Sequence, residues 1–261
     1  MTDVTARPPV GMLLRDWRQR RRLSQLDLAL EAGVSTRHLS FVETGRSRPS
    51  PEMVLHLADQ LEVPLRDRNQ LLLAAGYAPR YAERRLDEPE MAPVREALEL
   101  VLRGHEPYPA VVVDRAWNMV AANPAVGLLT AGVAPELLEP PVNVLRVSLH
   151  PDGMAPRIAN LGEWRAHLLE RLARQVAVTG DERLAALYDE LGGYPGPDAP
   201  EEHDAVGGGI VVPLRLRAGD AGELAFFSTV TTFGTAVDIT VAELAIESFF
   251  PADAATAQAL Q

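Results

Sequence analysis

All 25 cationic side chains of this chain are arginines. A guanidinium is planar, permanently charged and shaped to grip phosphate oxygens in pairs. Nine of them lie between Arg7 and Arg48, against 4 acidic residues. The formal net charge of −11 argues against a polyanion partner for the whole chain, but its distribution is uneven. Residues 1–85 hold 14 Arg and 10 acids, whereas residues 86–261 hold 11 Arg and 26 acids. Phosphate recognition is therefore chemistry for the head of the chain, and the acidic body calls for a different partner.

Catalysis finds little to work with. There is no cysteine, which removes disulfides, thiolate nucleophiles, iron–sulfur clusters and cysteine zinc sites together. His105, His150, His167 and His203 are isolated, with no His-Glu-x-x-His or His-x-His spacing. Glu163 and His167 share a helix face at i, i+4, which a metal could use, although a surface ion pair suits that spacing better. No Gly-x-Ser-x-Gly elbow occurs, and Gly207-Gly208-Gly209 precedes a strand, the wrong order for a phosphate loop. The expectation is a protein that is not an enzyme and needs no cofactor.

The arginines of the head must be positioned by short helices with tight connections. Met12–Arg22 sets Leu13, Leu14 and Trp17 on one face, and Arg20–Arg22 spread around the helix. Ser24 can cap a second helix, with Asp27 in a near-capping-box position and Leu26, Ala29 and Leu30 as its buried face. Gly33 permits a tight turn, Ser35 caps a third helix buried through Leu39 and Val42, and Gly45 stops it. Ser50-Pro51 opens a fourth by cap-then-proline chemistry. Leu65–Ala75 forms a fifth, ended by Gly76. The charged, proline-bearing segment 79–93 reads as a linker.

Beyond it Val94–Arg103 is amphipathic, and the pattern then changes. Ala110–Asp114 and Asn118–Ala122 read as strands, and Asn123-Pro124 starts a helix. Helices cover Gly162–Val178 and Asp181–Leu191. A Gly/Pro-rich loop, 192–209, leads to strands at Ile210–Arg217, Glu223–Thr232 and near Leu244–Phe250, before a short terminal helix. That order is mixed α+β. Hydrophobic residues at 47% and charged residues at 23% are globular values. The uncharged run Ala116–Ala134 contains Asn118, Asn123 and Pro124, a poor membrane span, and Met1–Gly11 has no apolar signal core. A cytoplasmic protein is expected.

Leu23–Ser50, with Gln25, Ala29, the Ala32-Gly33-Val34-Ser35 turn and Leu39…Val42-Glu43…Gly45, resembles the helix-turn-helix of the xenobiotic-response-element regulators, the phage-repressor type. The resemblance implies that the third helix enters the major groove of double-stranded operator DNA while the second crosses the backbone. It places Thr36, Arg37 and Phe41 at base-facing positions, with Arg37 suited to guanine and Phe41 to a thymine methyl. Gln25, Ser35 and Ser40 match backbone-contact positions, and Arg18, Arg22, Arg46 and Arg48 supply phosphate charge. Read from the residues alone, Ser35 equally suits a plain cap, Glu43 suits an ion pair with a nearby Arg, and Phe41 suits packing against another helix. One such module reads few base pairs, so a homodimer on two half-sites is expected.

A wider set of segments extends the likeness over nearly the whole chain: His38–Phe41, Glu43–Ser50, Leu71–Tyr77, Pro109–Arg115, Trp117-Asn118, Ala121–Asn123, Thr232–Gly234 and Phe249–Pro251. With these the chain resembles MmyB-like regulators. That implies a helix-turn-helix domain over 1–78, the linker 79–93, and a PAS-like α+β domain over 94–261 that binds a small apolar, fatty-acid-like ligand. Trp117, Met119, Trp164, Leu168, Phe226 and Phe227 are the pocket candidates, although an ordinary core suits any one of them better. Two other readings stay open: a body that only dimerises or holds a protein partner, and an enzyme with a DNA-binding head.

Overall fold

The computed structural model describes residues 8–197, 211–219 and 222–260. Most of the expected 192–209 loop, with Gly207–Gly209 and His203, falls outside them, as do Arg7, Ile210 and Asp220. The described chain forms two compact units, Met1–Arg84 with Thr235–Ala242, and Arg85–Gly234 with Glu243–Gln261.

The first unit holds helices α1 (Val10–Arg20), α2 (Gln25–Glu31), α3 (Thr36–Glu43), α4 (Pro51–Gln60) and α5 (Leu65–Ala74). Local side-chain chemistry sets their starts. Ser24 and Asp27 form a reciprocal capping box: Asp27 N–H donates to Ser24 Oγ at 3.1 Å and Ser24 N–H donates to Asp27 Oδ2 at 2.8 Å. Ser35 Oγ accepts from His38 N–H at 3.1 Å, and Ser50 Oγ accepts from Met53 N–H ahead of Pro51. Gly33, at φ +62°, supplies the left-handed turn between α2 and α3. Leu14, Leu28, Leu39, Leu57 and Leu71 converge in one interior. At Gly11 a Cβ would lie 2.3 Å from the Val42 carbonyl oxygen, so only glycine lets α1 and α3 approach this closely.

The later segment of this unit differs from the linear expectation, which placed 235–242 in the C-terminal domain. Asp238 pairs with Ala82 in a parallel bridge, and Ile239 N–H donates to the Ala82 carbonyl at 2.8 Å. Arg84 Nη1 donates to Asp238 Oδ2 at 3.0 Å, and Thr240 Oγ1 donates to the Arg84 carbonyl.

The second unit opens with α6 (Ala92–Gly104), strands β1 (Ala110–Val113) and β2 (Met119–Ala122), and the short α7 (Gly127–Thr130) and α8 (Val144–Leu149). Then come α9 (Leu161–Thr179), α10 (Glu182–Gly192), β3 (Leu214–Arg217) and β4 (Glu223–Thr232). The short α11 (Ile239–Ala242), already placed in the first unit, separates β4 from β5 (Ala245–Pro251), and α12 (Ala254–Ala259) follows. The five strands make one antiparallel sheet in the order β2-β1-β5-β4-β3. This is the mixed α+β domain that the strand and helix order implied. β1 is buried at every position because both faces of the sheet are covered there. Val111 and Val113 join the interior that includes Leu168, Leu172 and Leu187 of α9 and α10, while Ala110 and Val112 pack with Leu98 and Leu102 of α6.

Asn123 does not cap the helix expected after it. Its Oδ1 accepts from Ala110 N–H at 3.0 Å, and its Nδ2 donates to the Leu102 and Tyr108 carbonyls, tying the end of α6 to the start of β1.

Candidate nucleic-acid interface and apolar cavity

The α2–turn–α3 pair is held from beneath by a buried charge network. Arg18 of α1 grips Glu43 of α3 bidentately, Nε to Oε1 at 2.7 Å and Nη2 to Oε2 at 2.9 Å. Gln25 Nε2 donates to Glu43 Oε2 at 2.7 Å, and Arg18 Nη1 donates to the Leu23 carbonyl. The hydrogen bonds to Glu43 raise the Arg18 pKa further above its ordinary value, against the opposing effect of burial. Arg18 is therefore turned inward and cannot serve as the phosphate contact that its position suggested. The Gln25 amide is likewise drawn to Glu43. Glu43 takes the ion pair with a nearby Arg that its residue type suggested.

Arg48 is also engaged. Its Nε and Nη2 both donate to the Ala75 carbonyl at the end of α5, and its guanidinium lies 5.0 Å over the Tyr77 ring. It closes the carboxyl end of that helix, where a cation belongs. Sequence position could not show this, because the partner lies 27 residues away.

What remains at the head of α3 is outward-facing. Ser35, Thr36 and Arg37 are exposed, as are Arg22 and Arg46, while Ser40 is half-buried. Ser35 Oγ caps the helix, leaving its remaining capacity outward. Phe41 is half-buried, and Arg37 and Arg46 both stack on its ring, at 5.3 and 5.8 Å. A ring that carries two guanidinium groups restrains long side chains that would otherwise lose entropy on binding. Thr36, Arg37, Phe41 and Arg46 thus form one exposed cationic edge.

The second unit contains an apolar cavity of ≈ 70 Å³ between sheet and helices. Val111, Met119, Leu129, Leu145, Trp164 and Leu168 are among its walls, with Thr130, Ser148 and Glu247 as polar members. Three pocket candidates, Met119, Trp164 and Leu168, therefore face it. Trp117, Phe226 and Phe227 do not. Trp117 is held at φ +66° with its Nε1 donating to Gln175 Oε1 at 2.9 Å. Phe226 is fully buried in the sheet–helix interior, and Phe227, next along β4, stacks on Phe250 at 5.3 Å.

Residues that the sequence reading passed over set the polar side of this cavity. Glu247 of β5 is buried and accepts from Arg171 Nη1 at 3.2 Å, and the Arg171 guanidinium lies 4.3 Å from the Trp117 ring. Trp164, Leu168, Arg171 and Gln175 follow one another along one face of α9. The available signal was a lone carboxylate inside the apolar strand Ala245–Pro251. Glu163 accepts from Asn160 Nδ2 at 2.9 Å, and His167 has its pKa lowered, first by burial and then by Arg171. Among the described residues no group of three metal-ligating side chains occurs, and no helix is long and apolar enough to cross a membrane.

Comparison with known proteins gives each unit a family context. Residues 94–261 match the MmyB-like transcription regulator ligand binding domain, and residues 14–67 match a helix-turn-helix model. The chain is also similar to an uncharacterized HTH-type transcriptional regulator, RghRB, of Bacillus subtilis (strain 168). The two are 31% identical over 116 residues, 44% of this chain and 75% of that protein.

Proposed function

The chain belongs to the MmyB-like transcription regulators, and from that premise we propose that a small apolar, fatty-acid-like ligand held within 94–261 controls how residues 1–78 bind operator DNA. The regulator is a helix-turn-helix transcription factor and not an enzyme. It acts in the cytoplasm as a homodimer, reading two half-sites about one helical turn apart. Thr36, Arg37 and Phe41 face bases, Arg22 and Arg46 face phosphates, and Ser35 and Ser40 approach the DNA backbone. Arg18, Gln25 and Arg48 instead hold the helices that present them.

The observation that carries the ligand half is the cavity. Its walls are almost wholly apolar, and each buried methylene of a chain gains about 0.8 kcal/mol. Its ≈ 70 Å³ is also small. An engineered cavity of ~150 Å³ admits benzene, so a ten-carbon chain enters only if walls such as Met119 and Leu129 move apart. That requirement gives the ligand a preference between two shapes of the domain, and only such a preference shifts an equilibrium.

The test adds decanoic acid or its methyl ester to delipidated full-length protein. Melting temperature and affinity for a duplex selected from a random library are then followed. The expected result is a higher melting temperature together with altered DNA affinity. No change in melting removes the pocket, and stabilisation without a change in DNA binding leaves a site that is not a sensor.

A further inference from the structure

We infer that α8 is the door of this cavity and that Arg146, Glu190 and Tyr194 form the latch that holds it shut. The inference rests on the ligand reading above and names the part of the site that governs entry. Four of the six residues of α8, Val144, Leu145, Val147 and Ser148, line the cavity. The helix is shorter than two turns, so few backbone hydrogen bonds hold it together. The walls around it are stiffer: Val111, Leu214 and Phe249 belong to the hydrogen-bonded sheet, and Trp164 and Leu168 to the 19-residue α9. The start of α8 is joined to β2, where Met119 N–H donates to the Val142 carbonyl at 2.7 Å. A displacement of α8 therefore also bears on Met119.

Two side-chain ties close the door. On the cavity side Ser148 Oγ accepts from Trp164 Nε1 at 3.0 Å. On the outer side Arg146 Nε and Nη2 grip Glu190 of α10, each at 2.7 Å, and the Tyr194 hydroxyl donates to Glu190 Oε1 at 2.6 Å. The Tyr194 ring meets His150, the residue after α8, edge-on at 5.0 Å. Burial and then the Glu190 carboxylate push the Tyr194 phenol up to about 12, so it keeps its proton and donates throughout the physiological range. The Arg146 and Glu190 side chains are 42% and 36% exposed, so water can replace either partner and the latch opens readily. A buried pair resists such exchange, as Arg18 and Glu43 do between α1 and α3. The closed cavity of ≈ 70 Å³ is too small for a ten-carbon chain, so entry and an open latch go together.

The experiment follows tryptophan fluorescence after rapid mixing of decanoate with delipidated full-length protein, since Trp164 stands in the cavity wall. Glu190→Gln keeps the volume but weakens the fork, and should speed uptake about three- to fivefold. Glu223→Gln cuts a comparable pair with Arg215 on the sheet and should leave the rate unchanged. Because the chain has no cysteine, Arg146→Cys combined with Glu190→Cys can be bridged by a short bis-maleimide, joining α8 to α10. The bridged protein should take up decanoate about tenfold more slowly, or less, than the same variant capped with N-ethylmaleimide. Equal rates for bridged and capped protein, or equal acceleration by both glutamine variants, overturn the inference while leaving the pocket intact. If the double variant does not fold, the two glutamine variants decide. Uptake by none of these proteins, the wild type included, removes the pocket and its door together.

Discussion

Glu43 in the first unit has both carboxylate oxygens occupied, by Arg18 and Gln25, whereas Glu247 in the second uses one oxygen on a single, longer contact to Arg171. Both are buried acids on elements of regular structure. The first is surrounded by packed side chains and the second borders open space. A carboxylate with every oxygen bonded locks two helices in one geometry, as a surface that must match DNA requires. One that makes a single side-chain contact beside a cavity fixes its surroundings less tightly. The same residue pair thus forms a fully bonded lock in one unit and a single contact beside a cavity in the other.

The sharpest way to break this comparison is to remove each acid and compare the losses. Glu43→Ala leaves Arg18 buried without a counter-charge and should cost about 3–5 kcal/mol. In scanning calorimetry that is a fall of more than ~12 °C for a unit of this size. Glu247→Gln should cost ~1 kcal/mol or less, because its partner is partly solvated. Equal losses would erase the distinction.

A second test asks whether the rigid frame serves base reading. Arg37→Ala should cost about 1–3 kcal/mol on the selected duplex and little on scrambled DNA. Arg46→Ala should weaken both alike and lower the salt slope by ~1 per subunit. Electrophoretic titration at several salt concentrations separates the two. Identical patterns would mean that the shared Phe41 ring makes them one phosphate-binding unit. The smallest effect is expected at Ser35, where alanine removes the cap of α3 and costs about 1 kcal/mol of stability. Any larger loss in DNA affinity would come from a direct contact of the hydroxyl.

The first unit was legible in the sequence wherever neighbours in the chain decide the structure. Ser24 with Asp27, Ser35, Ser50-Pro51 and Gly33 each act within four residues, so type and spacing suffice. Arg18 was misassigned and the helix-closing contact of Arg48 went unseen because charge alone does not reveal a partner 25 or 27 residues away. Asn123 failed as a cap for the same reason, since Leu102 and Ala110 compete for it with hydrogen bonds that no local pattern announces. In the second unit the strands and long helices were readable from periodicity, but α8 is too short to show one. Which aromatics face the cavity depends on packing rather than hydropathy. Phe226 and Phe227 are adjacent on one strand and equally apolar, and neither reaches the cavity.

The clasp of Asp238 and Thr240 on Arg84 also bears on how the molecule is made. During synthesis the five amino-terminal helices leave the ribosome long before their last contact exists, because Asp238 follows Arg84 by 154 residues. The nascent DNA-binding head must wait, without that clasp, while nearly the whole ligand-binding domain is translated. A gene fragment cut anywhere between residues 84 and 235 delivers that head without its fastener. A chimera that exchanges ligand-binding domains at the 79–93 segment inherits a foreign one.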